Sequence, residues 1–581
     1  MIRLLLTRWL IYGAGTLGSL NIVSGQPPLK AAIPNHSVAQ IPYIKQADTH
    51  AQLIVDGKPF LMVAGELHNS TSSSAEYFSQ AMQNAKEMNV NTVIASVAWE
   101  QFEPQEGKFD FTLIDYILKN ANEKKLKVVL IWFATWKNGE SSYVPLWVKK
   151  DTNRFFRIQN KEGADMTAVS PFCTAAMIAD AKAFAELMKY IKQKDIHHHI
   201  IMMQPENEAG AFSELDYNEI ALKKYKEPVP QLLVDYLLAN QGQLEQALKT
   251  AWLSNGAKQK GNWAELFGEN NGDAGNFFMS WQYATFINEV CKQGKAILPL
   301  PMYVNAWLVQ YPGEMPGKYP NGGPVSRVMD IYKAAAPDID FIAPDIYLPG
   351  FKEVCRLYSR PSKKNPLFIP ECERTDPGKA YYVLAEHNAL GFGPFGIESL
   401  ISDDAYALSF KLLKEELLPL ITRYQGTGKM RGILKEGNED TVTIMLGEYR
   451  CFIEFMEKKK NAYGLLIQTG EEEFLVAGIN LKISFLSGPS SKKIHIAEVQ
   501  EGEYRNQKWN TYRYLNGDET WHNSFLFVRG RSYAVGFDVK KKTVKQILAP
   551  SPVLNQQLEK NLQQQQVDGP GIYKIRIYSI N

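Results

Sequence analysis

The stretch "HIIMMQPENE", His199–Glu208, decides how the chain is to be read. An apolar run of strand length breaks off in Glu206, Asn207 and Glu208, the pattern of a buried strand whose C-terminal end emerges at a polar rim. Seven further runs between Ala51 and Gln425 read the same way: "PFLMVAGE", "VNTVIASVAW", "KVVLIWFA", "LPMYVNAW", "DFIAPDIY", "PLFIPECE" and "GFGPFGIES". Between them lie stretches with apolar residues at three- and four-residue spacing, such as "SAEYFSQAMQNAKEM", "FTLIDYILKNANEKK" and "TAAMIADAKAFAELMKYIKQ", each predicting an amphipathic helix. Eight strand–helix units are what a closed (β/α)8 TIM barrel requires, and such barrels place their chemistry at the C-terminal ends of the strands.

One unit is enlarged. After Gly210 about seventy residues precede "FFMSWQYATFINEV", among them the Gly/Asn-rich "FGENNGDAGN". An inserted loop at this end of a barrel shapes the rim of the site; an inert excursion or a contact between copies in a homo-oligomer is the other reading. Beyond "AYALSFKLLKEELLPLITRYQ" the pattern changes to alternating strands, "TVTIMLG", "RCFIEFM", "NAYGLLIQT", "EEFLVAGINLKISFL", "TWHNSFLFVRG" and "SYAVGFDV", which predicts an all-β sandwich without an acidic constellation. The expected division is therefore residues 1–25 as a leader, 40–425 as the barrel and 426–581 as the sandwich. The Gln-rich "NQQLEKNLQQQQ" reads as an exposed connection before a final strand, and the runs Lys458–Lys460 and Lys540–Lys542 as solvated hairpin tips.

The leader expectation rests on arginines 3 and 8, an apolar run, and the small residues Ser24 and Gly25, a signal-peptide layout that places the protein in the periplasm or outside the cell. No later segment is apolar for long enough to span a bilayer. Basic and acidic residues nearly balance, 64 against 62, so no broad basic field exists to draw nucleic acid or anionic lipid. Five cysteines without C-x-x-C spacing indicate neither a zinc site nor a disulfide framework. His197–His199 precede their strand, at the barrel's other face, and lack the i, i+4 spacing of a helical metal pair; no metal and no cofactor are expected. A G-x-S-x-G nucleophile elbow is absent.

Because strand ends of a barrel converge, Glu208 after the fourth strand and Glu371 after the seventh can face each other although 163 positions separate them. Two opposed carboxyls are the equipment for cleaving a glycosidic bond: one protonates the leaving oxygen, the other attacks or stabilises the anomeric carbon. "QPENE", "IPE" and "SVAWEQFEPQEGKFDF" resemble the retaining glycoside hydrolases of clan A, and "GELHNS", "MYVNAW" and the β-sandwich tail narrow the resemblance to bacterial members of family 35, the β-galactosidases. That resemblance implies Glu208 as acid/base, Glu371 as nucleophile and Asn207 as the partner of the sugar 2-hydroxyl. It further implies an exported, retaining, exo-acting enzyme that removes terminal β-galactose from oligo- or polysaccharide side chains such as those of xyloglucan. A retaining glucosidase, arabinosidase or glucosaminidase, or a barrel that binds carbohydrate without cleaving it, are the rival readings.

Other rim residues are candidate sugar contacts. Glu66, His68 and Asn69 end the first strand, Trp99 and Glu100 the second, Trp132 and Trp136 the third, Asn305 and Trp307 the fifth, and Tyr347 the sixth; aromatic rings suit the apolar faces of sugars. Glu100 has a salt-bridged role as its alternative. Period-two alternation aims Glu206 the same way as Glu208, one step deeper, as a structural partner, and Glu373 the same way as Glu371. In much of family 35 an Asn-Ala-Glu or similar triplet after the third strand contacts the sugar, and "FATWKNGE" departs from it.

Overall fold

The computed structural model describes residues 40–269, 272–400, 404–456, 461–488, 493–538, 543–550 and 565–580. The leader, both lysine runs and most of the Gln-rich stretch lie outside the described residues, as do two positions of the long insertion. Gln40–Asn581 forms one compact unit.

Eight parallel strands build the barrel: β1 Met62–Glu66, β2 Thr92–Ala98, β3 Lys127–Lys137, β4 Ile200–Asn207, β5 Tyr303–Trp307, β6 Phe341–Ile346, β7 Glu371–Cys372 and β8 Gly391–Phe392. β8, β1, β2, β3 and β4 pair in that order, and β5, β6 and β7 form a second ladder. Single bridges, Met203 to Met302 and Ile369 to Phe392, join the two ladders at both edges and close the circle. All eight sequence-predicted strands are present. Helices such as Ala75–Glu87, Thr112–Lys124, Thr174–Lys194 and Asp273–Ile297 form the outer layer.

Alternation along each strand sorts its side chains between two cores. On β3, Val129, Ile131 and Phe133 point inward, while Val128, Leu130, Trp132, Ala134 and Trp136 face the helices. Met62 and Ala64 of β1, Tyr303 of β5 and Phe341 and Ala343 of β6 fill the interior with them. An antiparallel sheet that precedes the barrel, Tyr43–Gln46, Ala51–Val55 and Lys58–Pro59, adds Ala51, Leu53 and Val55 to this inner core. It plugs the N-terminal end, an element absent from the sequence reading, so the strand C-termini form the mouth.

The long insertion is ordered as four short helices, Glu219–Tyr225, Gln231–Asn240, Gln246–Ser254 and Trp263–Phe267, before Asp273–Ile297. Its first residues return to the rim through an Ala211–Asn321 bridge. Tyr236 donates to Asp330 of the helix Met329–Ala335 at 2.9 Å, so the excursion is packed down on the barrel wall.

Beyond Tyr424 the chain is antiparallel β. A six-stranded sheet and a four-stranded sheet enclose a second core of Leu466, Phe474, Val476, Ile453 and Ile483, among others. "EEFLVAGINLKISFL" divides into strands Glu473–Ile479 and Leu481–Ser487 at Asn480, whose φ of 58° breaks the ladder. The strands Met430–Leu434, Lys493–Arg505 and Lys508–Leu515 were not anticipated. Alternation explains how this sandwich attaches: Leu465, Ile467, Leu475 and Ala477 pack into the barrel's outer core while Leu466, Phe474 and Val476 fill the sandwich.

Gly378, at the start of the helix Gly378–Glu386, lies against Tyr463 of the sandwich; a Cβ there would stand 2.2 Å from the Tyr463 Cγ. The Tyr463 hydroxyl is itself within 2.6 Å of Ser409 Oγ, which limits its retreat. Gly378→Ala should therefore destabilise the protein by about 1–3 kcal/mol, read as a lowered midpoint of thermal or urea unfolding.

Candidate active site

The end of β4 does not keep its alternation. Glu206 and Glu208 both have left-handed backbone, φ 64° and 46°, a conformation that costs non-glycine residues about 1–2 kcal/mol each. The cause lies in β3, whose pairing with β4 slips between Trp132 and Lys137 and leaves backbone N–H groups without a ladder partner. Glu206 turns back to accept from Thr135 N at 3.3 Å and Trp136 N at 2.6 Å. Behind it stands Asp180 of the helix Thr174–Lys194, whose carboxyl accepts from Trp132 Nε1 at 2.8 Å and Thr135 Oγ1 at 2.5 Å. Glu206 thus points out of the mouth and not with Glu208, a correction to strict period-two reading. Its expected part as a strand-end support agrees with these bonds.

After this kink Glu208 enters the mouth. Its backbone N–H donates to Asn305 Oδ1 at 2.9 Å, and Asn305 Nδ2 donates to Asn207 Oδ1 at 3.1 Å and to Asp345 Oδ2 at 2.6 Å. Asn207 also accepts from Gln204 Nε2 at 3.1 Å and donates to Asn138 Oδ1 at 3.3 Å. Parallel register places Asp345 beside Glu371. Tyr347, two residues beyond Asp345, donates its hydroxyl to Glu371 Oε1 at 2.5 Å, whereas Glu371 Oε2 is buried without a partner among the described residues.

Four carboxyls therefore share one enclosed space: Glu66, Glu208, Asp345 and Glu371, none more than 8% exposed. Lys137 acts on three of them, and its ammonium bonds Asn138 Oδ1 at 2.7 Å. Burial raises Glu371, while Lys137 and the Tyr347 hydroxyl oppose the rise, so that it ionises before the carboxyls around it. Burial and then the Glu371 charge push Glu208 up to about 7, against Lys137 and a hydrogen bond with Asp345. Glu66 and Asp345 are held well above the ordinary range, first by burial and next by the Glu371 charge. One ionised carboxylate facing one protonated carboxyl is the division of labour that acid-assisted cleavage needs.

The remaining candidates separate cleanly. Glu66 belongs to the carboxyl group, and its side chain makes no hydrogen bond to another described residue, which leaves it open to a ligand. His68 sits on the rim, its Nε2 3.0 Å from Ser399 Oγ and its backbone N–H bonded to Glu398. Asn69 accepts from Ser96 through its backbone carbonyl, and its buried Oδ1 is a spare acceptor among the described residues. Asn305 orients the others, with its oxygen and nitrogen both engaged. Trp307 is half-buried, edge-on to Phe212 of the insertion at 5.9 Å, with its indole N–H unpartnered among the described residues.

Trp99 and Trp132 are not sugar contacts, and neither is Trp136. All three are fully buried, with their indole N–H groups satisfied by Glu103 at 2.8 Å, Asp180 at 2.8 Å and Val169 O at 3.0 Å. Trp132 and Trp136 share the outward parity of Val128 and Leu130, and Trp99 opens a short helix on that same outer face. Glu100 pairs with Lys149 at 2.7 Å, its salt-bridged alternative. Glu373 leaves the site to pair with Lys379 at 2.7 Å. His197 and His198 lie at the opposite barrel end, where their carbonyls accept from Lys127. A small cleft near that end, lined by His50, His387 and Asn388, contains no carboxyl.

Two participants escaped the sequence reading. Asp345 was legible through parity, since Phe341, Ala343, Asp345 and Tyr347 alternate inward. Lys137 returns to the mouth only because of the β3 slip, for which the sequence offers no clear sign.

Residues 52–280 match the family described as Glycosyl hydrolases family 35. This segment is similar to glycosyl hydrolases family 35. The match includes Glu66, Lys137 and Glu208 and stops before Glu371, so the family 35 segment carries one catalytic candidate and the fold supplies the other. Residues 406–527 match a Domain of unknown function (DUF5597). Among curated relatives, Beta-galactosidase 11 of Arabidopsis thaliana is 32% identical over 122 residues, 20% of this chain and 14% of that protein. A Beta-galactosidase of Xanthomonas manihotis is 27% identical over 173 residues, 28% of this chain and 26% of that protein. The matched segments thus span about a quarter or less of those relatives. A solved β-galactosidase from Bacillus circulans sp. alkalophilus aligns with TM-score 0.38 at 16% identity, covering 57% of this chain and 50% of that one.

The Glu371 charge helps to raise Glu208, and neutralising it removes that contribution. In Glu371→Gln, the Glu208 carboxyl should titrate below its wild-type value of about 7, by on the order of one unit, as followed by ¹³C NMR of labelled glutamate.

Proposed function

We propose that the protein is an exported, retaining, exo-acting β-galactosidase that removes terminal β-galactosyl residues from oligo- or polysaccharide side chains, xyloglucan among them. The observation that carries this reading is the meeting of two buried carboxyls in one mouth, Glu208, pushed up to about 7 in part by the Glu371 charge, and Glu371, with one oxygen held by Tyr347 and the other free. Support for galactose comes from the names of the curated relatives. Support for export comes from the basic, apolar and small-residue order of residues 1–25. Among the described residues no helix is long and apolar enough to cross a membrane.

In the first step the free Oε2 of Glu371 attacks the anomeric carbon while Glu208 gives its proton to the departing oxygen. Tyr347 keeps the other Glu371 oxygen in place, which presents a single oxygen to the sugar. Ester formation removes the Glu371 charge, and with it one cause of the raised Glu208. Glu208, now a carboxylate, takes a proton from water as that water attacks the same carbon and releases Glu371. Asn207, held by Gln204 and Asn305, faces the sugar 2-hydroxyl in this scheme, and Glu66 contributes a carboxyl with no other described side chain to bond. The Trp307 and Phe212 rings offer an apolar face to the leaving glycan.

Glu371→Ala should abolish turnover of an aryl β-galactoside and regain part of it with added azide; undiminished activity would exclude the nucleophile assignment. In the wild-type enzyme the β-anomer of galactose should appear first in a time-resolved ¹H NMR spectrum. Initial release of the α-anomer would require single displacement by water.

A further inference from the structure

Asp345 is a buried carboxyl for which the cleavage scheme above has no use. One oxygen accepts from Asn305 Nδ2 at 2.6 Å. The other, Oδ1, is buried and has no N–H or hydroxyl donor among the described residues. The Asp345 carboxyl lies within hydrogen-bonding reach of the Glu208 carboxyl, in the same enclosed space. Two carboxylates cannot bond to each other, because both only accept; a proton must lie between them. The Asn305 side chain settles how the pair is held. Asn305 receives the Glu208 N–H on its oxygen and gives an N–H to Asp345 from its nitrogen, so one side chain fixes the acid's main chain and its partner's carboxyl together. Parallel pairing sets Asp345 level with Glu371 on the adjacent strand.

Charge decides which member keeps the proton. Asp345 faces Glu371, Glu208 and Glu66 and is 3% exposed, and no cation is among the leading influences on it. Glu208 faces Glu371 as well but also feels Lys137. Asp345 is the worse place for a negative charge, so it remains neutral while Glu208 cycles.

We propose that Asp345 is a positioning residue for the acid/base: a neutral carboxyl that donates a hydrogen bond to Glu208 and stabilises the carboxylate left when Glu208 protonates the leaving group. The inference rests on the glycosidase reading above. Its proton balance is closed, since the proton that reaches the leaving oxygen comes from Glu208 and is replaced from the attacking water, while the Asp345 proton stays between the two carboxyls throughout. Stabilising the conjugate base of the acid matters most when the leaving group is poor, because proton transfer is then furthest advanced in the transition state.

Two variants and two substrates test it. Asp345→Leu keeps the bulk and loses the donor; Asp345→Asn keeps a donor for Glu208 and an acceptor for Asn305. Each is compared with the wild type on 2,4-dinitrophenyl and methyl β-galactosides, with the pH profile of kcat/KM. For Asp345→Leu we expect a loss of about tenfold to a hundredfold on the methyl glycoside, a much smaller loss on the dinitrophenyl one, and a basic limb moved upward. For Asp345→Asn we expect rates within about threefold of wild type and a basic limb that stays in place, since no charge is removed. Equal losses on both substrates with unmoved limbs would reduce Asp345 to packing. A basic limb lowered in Asp345→Asn would mean that the native residue is ionised, and either result overturns the proposal. Should Asp345→Leu not fold, the limb position in Asp345→Asn alone decides. Failure of the glycosidase reading itself would look different, as absence of turnover in the wild type.

Discussion

Mutual repulsion among buried carboxyls is the constraint on which the rest of the site depends. Glu66, Glu208, Asp345 and Glu371 cannot all ionise in a space nearly closed to water, where one ammonium, that of Lys137, acts on three of them. The arrangement therefore sorts them. Glu371 has the Tyr347 hydroxyl and the lysine to favour its charge, and every other carboxyl is then raised by that charge. A difference in proton affinity between two chemically identical side chains is thus produced by neighbours. Lys137 is held by Asn138, Glu371 by Tyr347 and Asp345 by Asn305.

Holding such a group together places demands on the backbone. The kink that brings Glu208 into the mouth requires left-handed conformations at two glutamates, and the β3 slip beside it exposes backbone donors. Glu206 answers both, since its carboxyl accepts from the two exposed N–H groups and, held well above the usual carboxylate range by burial and the Asp180 charge, bonds Asp180 in the helix behind. Strain at the functional position is offset by hydrogen bonds two residues away, on the buried side of the strand.

Much of this was legible in the chain because period and polarity agree. Eight apolar runs ending in polar residues gave eight strands, and the carboxyls of Glu208 and Glu371, at the ends of the fourth and seventh runs, share one buried space. Where the reading failed, parity shows why. Trp132 and Trp136 looked like rim aromatics, yet they share the outward phase of Val128 and Leu130; counting from Val129, Ile131 and Phe133 would have placed them correctly. Glu206 and Glu373 depart from alternation because of a left-handed turn and an ion pair to Lys379, both set by contacts with distant segments. The N-terminal plug was invisible for another reason: short strands such as Tyr43–Gln46 have a burial pattern too exposed to stand out.

That plug has a consequence for traffic. With the interior filled by side chains and Leu53 and Val55 packed at its far end, the described residues leave the mouth as the way into a shallow blind well. Anything that enters must back out along its own path, and a small fragment lodged at the bottom keeps the well shut to the next visitor until it escapes. Occupancy by the deepest piece, and not the fate of the outer one, then governs how soon the site is vacant again.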